Sequence, residues 1–126
     1  MKIAMDNRIT VVVVTKNRQE ELKHCLGSLA CQSISLENLV VVDNNSSDET
    51  QKVVKNFSKN VKFKVSYVKH RLVGYPHVYN RGLKEAKGDW IAFIDDDCVA
   101  DFDWFSRIKL ITARLPKFSA ILGHSS

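Results

Sequence analysis

The sequence predicts an α/β fold of three layers, α/β/α, with a mainly parallel sheet between two layers of helices. Three observations predict it. Strand-like apolar runs alternate with helical patterns along the whole chain, the first run (residues 9–14, ITVVVV) is almost continuously apolar, and three of the runs end in polar clusters. A strand covered on both faces reads as an unbroken hydrophobic run, whereas a half-exposed strand alternates.

The first strand is Ile9–Val14, and the pattern after it is helical. Leu22, Cys25, Leu26 and Leu29 fall at i, i+3, i+4 and i+7, one buried stripe, and Asn17 with Glu20 has the spacing of a capping pair. A second strand, LVVVD at 39–43, leads to Ser46 and Glu49 at capping-box spacing, then to a helix with Val53, Val54 and Phe57 inward. The third strand, FKVSYV at 63–68, alternates and is expected at a sheet edge. Residues 74–88 read as a helix burying Tyr79, Leu83 and Ala86 and stopping at Gly88. The fourth strand is WIAFID at 90–95. A last helix runs from about Asp101 through Trp104, Phe105, Ile108 and Ile111 and halts before Pro116, and SAILG at 119–123 opens a fifth strand. The order βαβαβαβαβ requires right-handed crossovers, and no linker or repeat divides it.

A chain of 126 residues suits one domain, and 44% hydrophobic with 26% charged residues is the composition of a soluble globular protein. No apolar stretch reaches the roughly 20 residues of a membrane helix. The opening MKIAMDNR lacks the apolar segment of a secretory signal, so the expected location is cytoplasmic, including the cytoplasmic face of a membrane. Cys25, Cys31 and Cys98 show no C-x-x-C spacing and read as reduced structural thiols, the first two on different faces of one helix. The four histidines have no metal-ligand spacing. The net charge of +5 is concentrated between Gln51 and Lys84, which holds nine basic residues and no acid. Such a block can attract nucleic acid, an anionic membrane or a phosphorylated ligand; without aromatic interleaving or a nucleic-acid motif, no nucleic-acid partner is expected.

In open α/β sheets, ligands bind outside the carboxyl ends of the strands. Three strands end there in Thr15-Lys16-Asn17-Arg18, in Asp43-Asn44-Asn45-Ser46-Ser47-Asp48, and in Asp95-Asp96-Asp97. Ionised carboxylates about 5 Å apart repel by roughly 3 kcal/mol at an effective dielectric near 20, so folding alone gives no reason for the last run. Asp95 and Asp97, at i and i+2, project to one side while Asp96 points to the other. Hard oxygen ligands suit Mg²⁺ or Mn²⁺, with substrate phosphates completing the shell, and such a cation offsets the repulsion. The helix start beside Arg18 is a natural anion site, and Asp43 can accept hydrogen bonds from a base or sugar. The set suits a nucleoside diphosphate with a divalent metal. Neither G-x-G-x-x-G nor the P-loop pattern is present, which argues against dehydrogenases and P-loop NTPases.

The blocks ITVVVVTKNRQEELKHCLGSL, LVVVDNNSSDET and NRGLKEAKGDWIAFIDDDC resemble the opening blocks of family 2 glycosyltransferases, whose GT-A fold is Rossmann-like. The resemblance covers about residues 8–125 and implies a sugar transferase that uses a nucleotide-diphosphate sugar, UDP-sugar first, with Mn²⁺ or Mg²⁺. It implies nucleotide-binding roles for Thr15, Arg18, Asp43, Asn80, Asp95 and Asp96: Asp43 towards the base, Asp95 towards the ribose. It makes Asp97 the metal ligand. The implied reaction is inverting transfer to a hydroxyl of a saccharide, a lipid-linked or another acceptor. Two departures accompany it. The family's arginine before the Asn-x-Gly of the third helix is Tyr79 here, and Arg81 lies roughly 100° around the helix from that place. Domains of this family also run well past 200 residues, so residues 1–126 are expected to be a single GT-A domain truncated before its acceptor-binding half, with the catalytic base after Ser126 and none within the chain. A second reading is a non-catalytic nucleotide-binding fragment or assembly module, and an uncovered sheet edge would allow a homo-oligomer. A receiver-like signalling domain fits poorly, since the first strand ends in Thr15-Lys16-Asn17 where a receiver needs an acidic pair. A nucleotidyltransferase of similar fold would open with a glycine-rich, arginine-bearing loop, which is absent here.

Overall fold

A computed structural model describes residues 7–72 and 75–115. The predicted fifth strand, at 119–123, lies outside them. The elements are β1 (Ile9–Thr15), α1 (Gln19–Ala30), β2 (Asn38–Asp43), α2 (Thr50–Lys59), β3 (Lys64–Lys69), α3 (Tyr75–Glu85), β4 (Trp90–Asp95) and α4 (Trp104–Thr112). The four strands form one parallel sheet in the order β3-β2-β1-β4. In register, Thr15 lies opposite Asp43, and Val14 opposite Asp95. Those pairings align the polar strand ends along one edge.

Strand periodicity sorts the core onto two faces. Ile9, Val11, Val13, Leu39 and Val41 meet α1, α2 and α4 on one face, while Val12, Val40 and Val42 meet Val78 of α3 on the other. The arrangement is therefore helices, parallel sheet, helix: three layers with a Rossmann-like GT-A sheet. β1 is inaccessible along most of its length, as its valine run requires, and β3 is an edge strand of partly exposed residues. The α1 stripe of Leu22, Cys25, Leu26 and Leu29 is buried as its spacing predicts, with Cys25 inward and Cys31 exposed.

Several local expectations are corrected. The inward residue of α3 is Val78, with Tyr79 and Ala86 packed beside it, whereas Leu83 is 49% exposed. Gly82, rather than a large apolar residue, faces the sheet: a Cβ there would stand 2.9 Å from Val12 Cγ1. The helix sits too close to β1 for any side chain, a constraint that hydrophobic periodicity cannot reveal. α3 ends at Glu85, and Gly88, with φ +122°, turns the chain into β4 against the Arg8 carbonyl. α4 begins at Trp104, three residues after Asp101, and its Ile111 is exposed. Instead Lys109 is buried there, its Nζ donating to the Asn7 carbonyl (2.6 Å) and to Glu37, so α4 is tied to the amino edge of the sheet by an ion pair.

Candidate functional site

Neither predicted capping pair caps its own helix. The N-cap of α1 is Arg18 and that of α2 is Glu49, both without a side-chain capping bond. Asn17 and Asn45 instead take left-handed backbone conformations (φ 51° and 57°), which asparagine tolerates better than most residues. Asn17 joins the two loops: its N–H donates to Ser46 Oγ (2.8 Å), and its Oδ1 accepts from the Ser47 N–H (2.7 Å). Gln19 Oε1 adds a bond from the Glu49 N–H at 2.8 Å. The loops after β1 and β2 thus form one connected lip, because cross-loop partners outcompete the local capping bonds that sequence spacing suggests.

Asp43 lies behind this lip, 1% exposed. Its Oδ1 accepts from the Ser46 N–H at 2.9 Å, and its Oδ2 accepts from the Tyr67 hydroxyl. Burial, and next the bond to Asp43, push the Tyr67 hydroxyl well above the usual tyrosine range, so Tyr67 remains a donor. An ionised carboxylate offers about four acceptor sites, and these two bonds use two. Two buried polar atoms nearby lack partners: Asn44 Oδ1 and His70 Nε2, in the residues that follow β2 and β3. Sequence reasoning named Asn44 only as part of a polar run and missed His70.

The aspartate run closes as a turn. The Cys98 N–H donates to the Asp95 carbonyl at 3.0 Å, bringing the side chains of residues i, i+2 and i+3 together. Ligand atoms of Asp95, Asp97 and Cys98 lie within 4.8 Å of one another, with both aspartates exposed. The expected convergence of Asp95 and Asp97 is therefore present, produced by the turn, whereas Asp96, expected to point away, reaches the same Arg18 nitrogen as Asp97. Asp96 is far from idle. Its side chain is 10% exposed and accepts a 2.9 Å hydrogen bond from Thr15 Oγ1, fastening the end of β4 to the end of β1. Burial raises its carboxyl above the ordinary aspartate value, against the opposing pull of Thr15 and Arg18. Arg18 Nη1 stands 3.5 Å from Asp96 Oδ1 and 3.4 Å from Asp97 Oδ2.

The paired carboxylates suit a hard divalent cation, the kind of ion that one or two carboxylates hold together with substrate phosphates. The Cys98 sulfur, already directed at Asp97 Oδ1 (3.7 Å), is a softer donor. The start of α1 carries Arg18 but also Glu20 and Glu21 in its first turn, which oppose an anion there. Asn80 lies exposed on α3. Tyr79, where the resemblance expects an arginine, is partly buried and meets Phe93 at a tilt of 58° with ring centroids 5.2 Å apart. Its ring belongs to the packing of α3 on β4.

The model of the family described as Glycosyl transferase family 2 matches residues 10–111 of this chain. The chain belongs to that family. It is 34% identical over 91 residues, 71% of its length, to a Campylobacter jejuni protein named GalNAc(5)-diNAcBac-PP-undecaprenol beta-1,3-glucosyltransferase. Among solved structures it resembles the Pyrobaculum calidifontis mannosyltransferase PcManGT in complex with GDP-Man and Mn²⁺ (TM-score 0.68, 28% identity, covering 74% of this chain and 28% of that one). It likewise resembles residues 1–349 of Staphylococcus aureus TarS in complex with UDP-GlcNAc (TM-score 0.67, 29% identity, 82% and 30%). The chain spans 29% of the Campylobacter protein, and between 14% and 35% of others among its curated relatives. No helix among the described residues is long and apolar enough to cross a membrane.

Proposed function

We propose that this chain is the donor-binding part of a glycosyltransferase that takes a sugar from a nucleoside diphosphate, UDP first, and transfers it with inversion to an acceptor hydroxyl. The observation that carries the reading is the convergence of Asp95 and Asp97 at the carboxyl edge of a parallel sheet, in a family 2 chain. Relatives bound to UDP-GlcNAc and to GDP-Man with Mn²⁺ support the donor class and the metal. The relative named for an undecaprenol-linked acceptor supports a lipid-linked saccharide as acceptor, met at the cytoplasmic face of a membrane.

The roles we propose rest on the family resemblance together with the geometry. Asp97, with Asp95 beside it, holds Mn²⁺ or Mg²⁺, and Asp95 also faces the ribose. The cation's part is to stabilise the charge of the departing diphosphate. Arg18 serves the phosphates from the start of α1, and Thr15 and Asp96 lock the turn that aims the carboxylates. Asp43 receives the base with its two remaining acceptor sites, beside the partnerless Asn44 Oδ1 and His70 Nε2. Asn80 serves the nucleotide from α3, without the help of an arginine at Tyr79. Removal of the acceptor proton needs a group within hydrogen-bond reach of the attacking hydroxyl. Among the described residues we assign that base to none; Asp101 and Asp103 are paired with Arg107.

Calorimetric titration of UDP and of GDP, with and without Mn²⁺, tests the site on the wild type and on Asp97→Ala. Metal-dependent binding that Asp97→Ala abolishes is expected. No binding of either nucleotide, or metal dependence that survives Asp97→Ala, would reject the assignment. Radiolabelled donor hydrolysis separates an enzyme from a binding module: sugar release by the purified chain would exclude the module.

A further inference from the structure

Arg18 stands where a cation competes with it. Among the described residues, it is the only basic side chain in ion-pair contact with the aspartate run, and a single nitrogen, Nη1, is shared between Asp96 and Asp97. At 3.4 and 3.5 Å both contacts are longer than the 2.7–2.9 Å typical of a tight charge-assisted bond. Arg18 and Asp97 are each about half exposed (51% and 53%), so water screens the pair and release is easy. Asp96 differs, because Thr15 holds its other oxygen and keeps it in place without the arginine. Arg18 is also the N-cap of α1 without capping it through its side chain, so its helix does not fix the guanidinium.

We propose that Arg18 is a counter-ion exchanged between Asp97 and the donor's diphosphate, and that this exchange makes metal and nucleotide bind cooperatively. The inference rests on the nucleotide-binding reading of the site. A divalent cation taken by Asp95 and Asp97 meets the positive charge of Arg18 at Asp97 Oδ2, and the guanidinium must leave. Without a diphosphate it goes to water. With one, it gains two anionic groups whose geometry suits its planar fork. The metal therefore binds more weakly alone than with the nucleotide, and by reciprocity the nucleotide binds more weakly without the metal. Arg18 acts here as a positioning residue through its charge, distinct from any contribution to turn stability.

The test is Mn²⁺ binding followed by the electron paramagnetic resonance signal of the free ion, with and without UDP or GDP, on wild type, Arg18→Gln and Arg18→Lys. In the wild type the nucleotide is expected to tighten Mn²⁺ binding by about tenfold or more. Arg18→Gln is expected to tighten Mn²⁺ alone by several-fold and to lose part of the nucleotide's enhancement, the remainder coming from phosphate ligation of the ion itself. Arg18→Lys, charged but without the fork, retains the weak binding of Mn²⁺ alone and only part of the enhancement. A purely structural role would move both Mn²⁺ affinities down together, and that result overturns the proposal, as does an undiminished enhancement in Arg18→Gln. Failure of the wild type to bind Mn²⁺ with either nucleotide overturns the site reading as well. Cooperative wild-type binding with unchanged cooperativity in Arg18→Gln overturns the exchange alone.

Discussion

Thr15→Val separates the bracing of the aspartate turn from its chemistry. The substitution is nearly isosteric and leaves a β-branched residue on β1, but removes the hydroxyl that donates 2.9 Å to Asp96 Oδ2. A hydrogen bond to a charged group contributes about 1.5–3 kcal/mol. The bond pulls down the Asp96 carboxyl, which burial holds above the ordinary aspartate value, so its loss raises that carboxyl further. An acid raised in the folded state binds its proton more tightly there than in the unfolded chain. Its contribution to stability is therefore most favourable in acid and diminishes as pH climbs from the unfolded to the folded value. Thr15→Val should accordingly cost about 1.5–3 kcal/mol near pH 7 and less at a pH low enough to protonate Asp96 in both states. Urea unfolding followed by circular dichroism across that range measures the difference. A cost independent of pH would refute the role given to the Thr15–Asp96 bond, and so would no cost at all.

Gly82→Ala gains about 1 kcal/mol in helix propensity but drives a methyl to 2.9 Å from Val12 Cγ1, an overpacking that costs about 1–3 kcal/mol. Net destabilisation in urea melts is expected, relieved when Val12→Ala is added; stabilisation by the single change would show that α3 can lift from the sheet. Lys109→Met should cost about 1–3 kcal/mol, because it leaves the partly exposed Glu37 and the Asn7 carbonyl without their buried partner, and adding Glu37→Gln should recover part of that loss in the same melts. Cys25 is buried, and desolvation pushes its thiol up to about 12, so disulfide reagents at pH 8 should label Cys31 in the native protein and Cys25 only after unfolding. Mass mapping of the labelled peptides decides it.

The elements that sequence reads well are those with a long repeating signal. The valines of β1, the stripe of α1 and the alternation of strands and helices along the chain emerge from periodicity, which burial imposes directly. The carboxylates Asp95 and Asp97 are legible because adjacent like charges at a strand end conflict with folding, although the turn that brings them together, rather than strand alternation, sets their side. What escaped are interactions between loops distant in sequence. Asn17 and Ser46 have helix-capping spacing yet bond to each other across 29 residues. Asp96 reads as turned away from its neighbours until Thr15 is seen 2.9 Å away, and Leu83 looks like a core residue until Gly82 brings its own face against β1. His70 carries no local signal, because its importance comes from standing beside Asp43 through a backbone bond of 2.8 Å.

β4 is both the strand that carries the aspartate run and the outermost strand of the sheet on its side. Among the described residues, the β1 and β2 side of the carboxylates is walled by the connected loops, while no strand pairs with the other edge of β4, which carries the exposed Phe93. A polypeptide that hydrogen-bonds along this edge becomes, by the same act, the opposite bank of the carboxylate site. Pairing along β4 and walling the carboxylate pair would then be one structural event, and a substitution that weakens such pairing would loosen the carboxylates before it destabilised the fold.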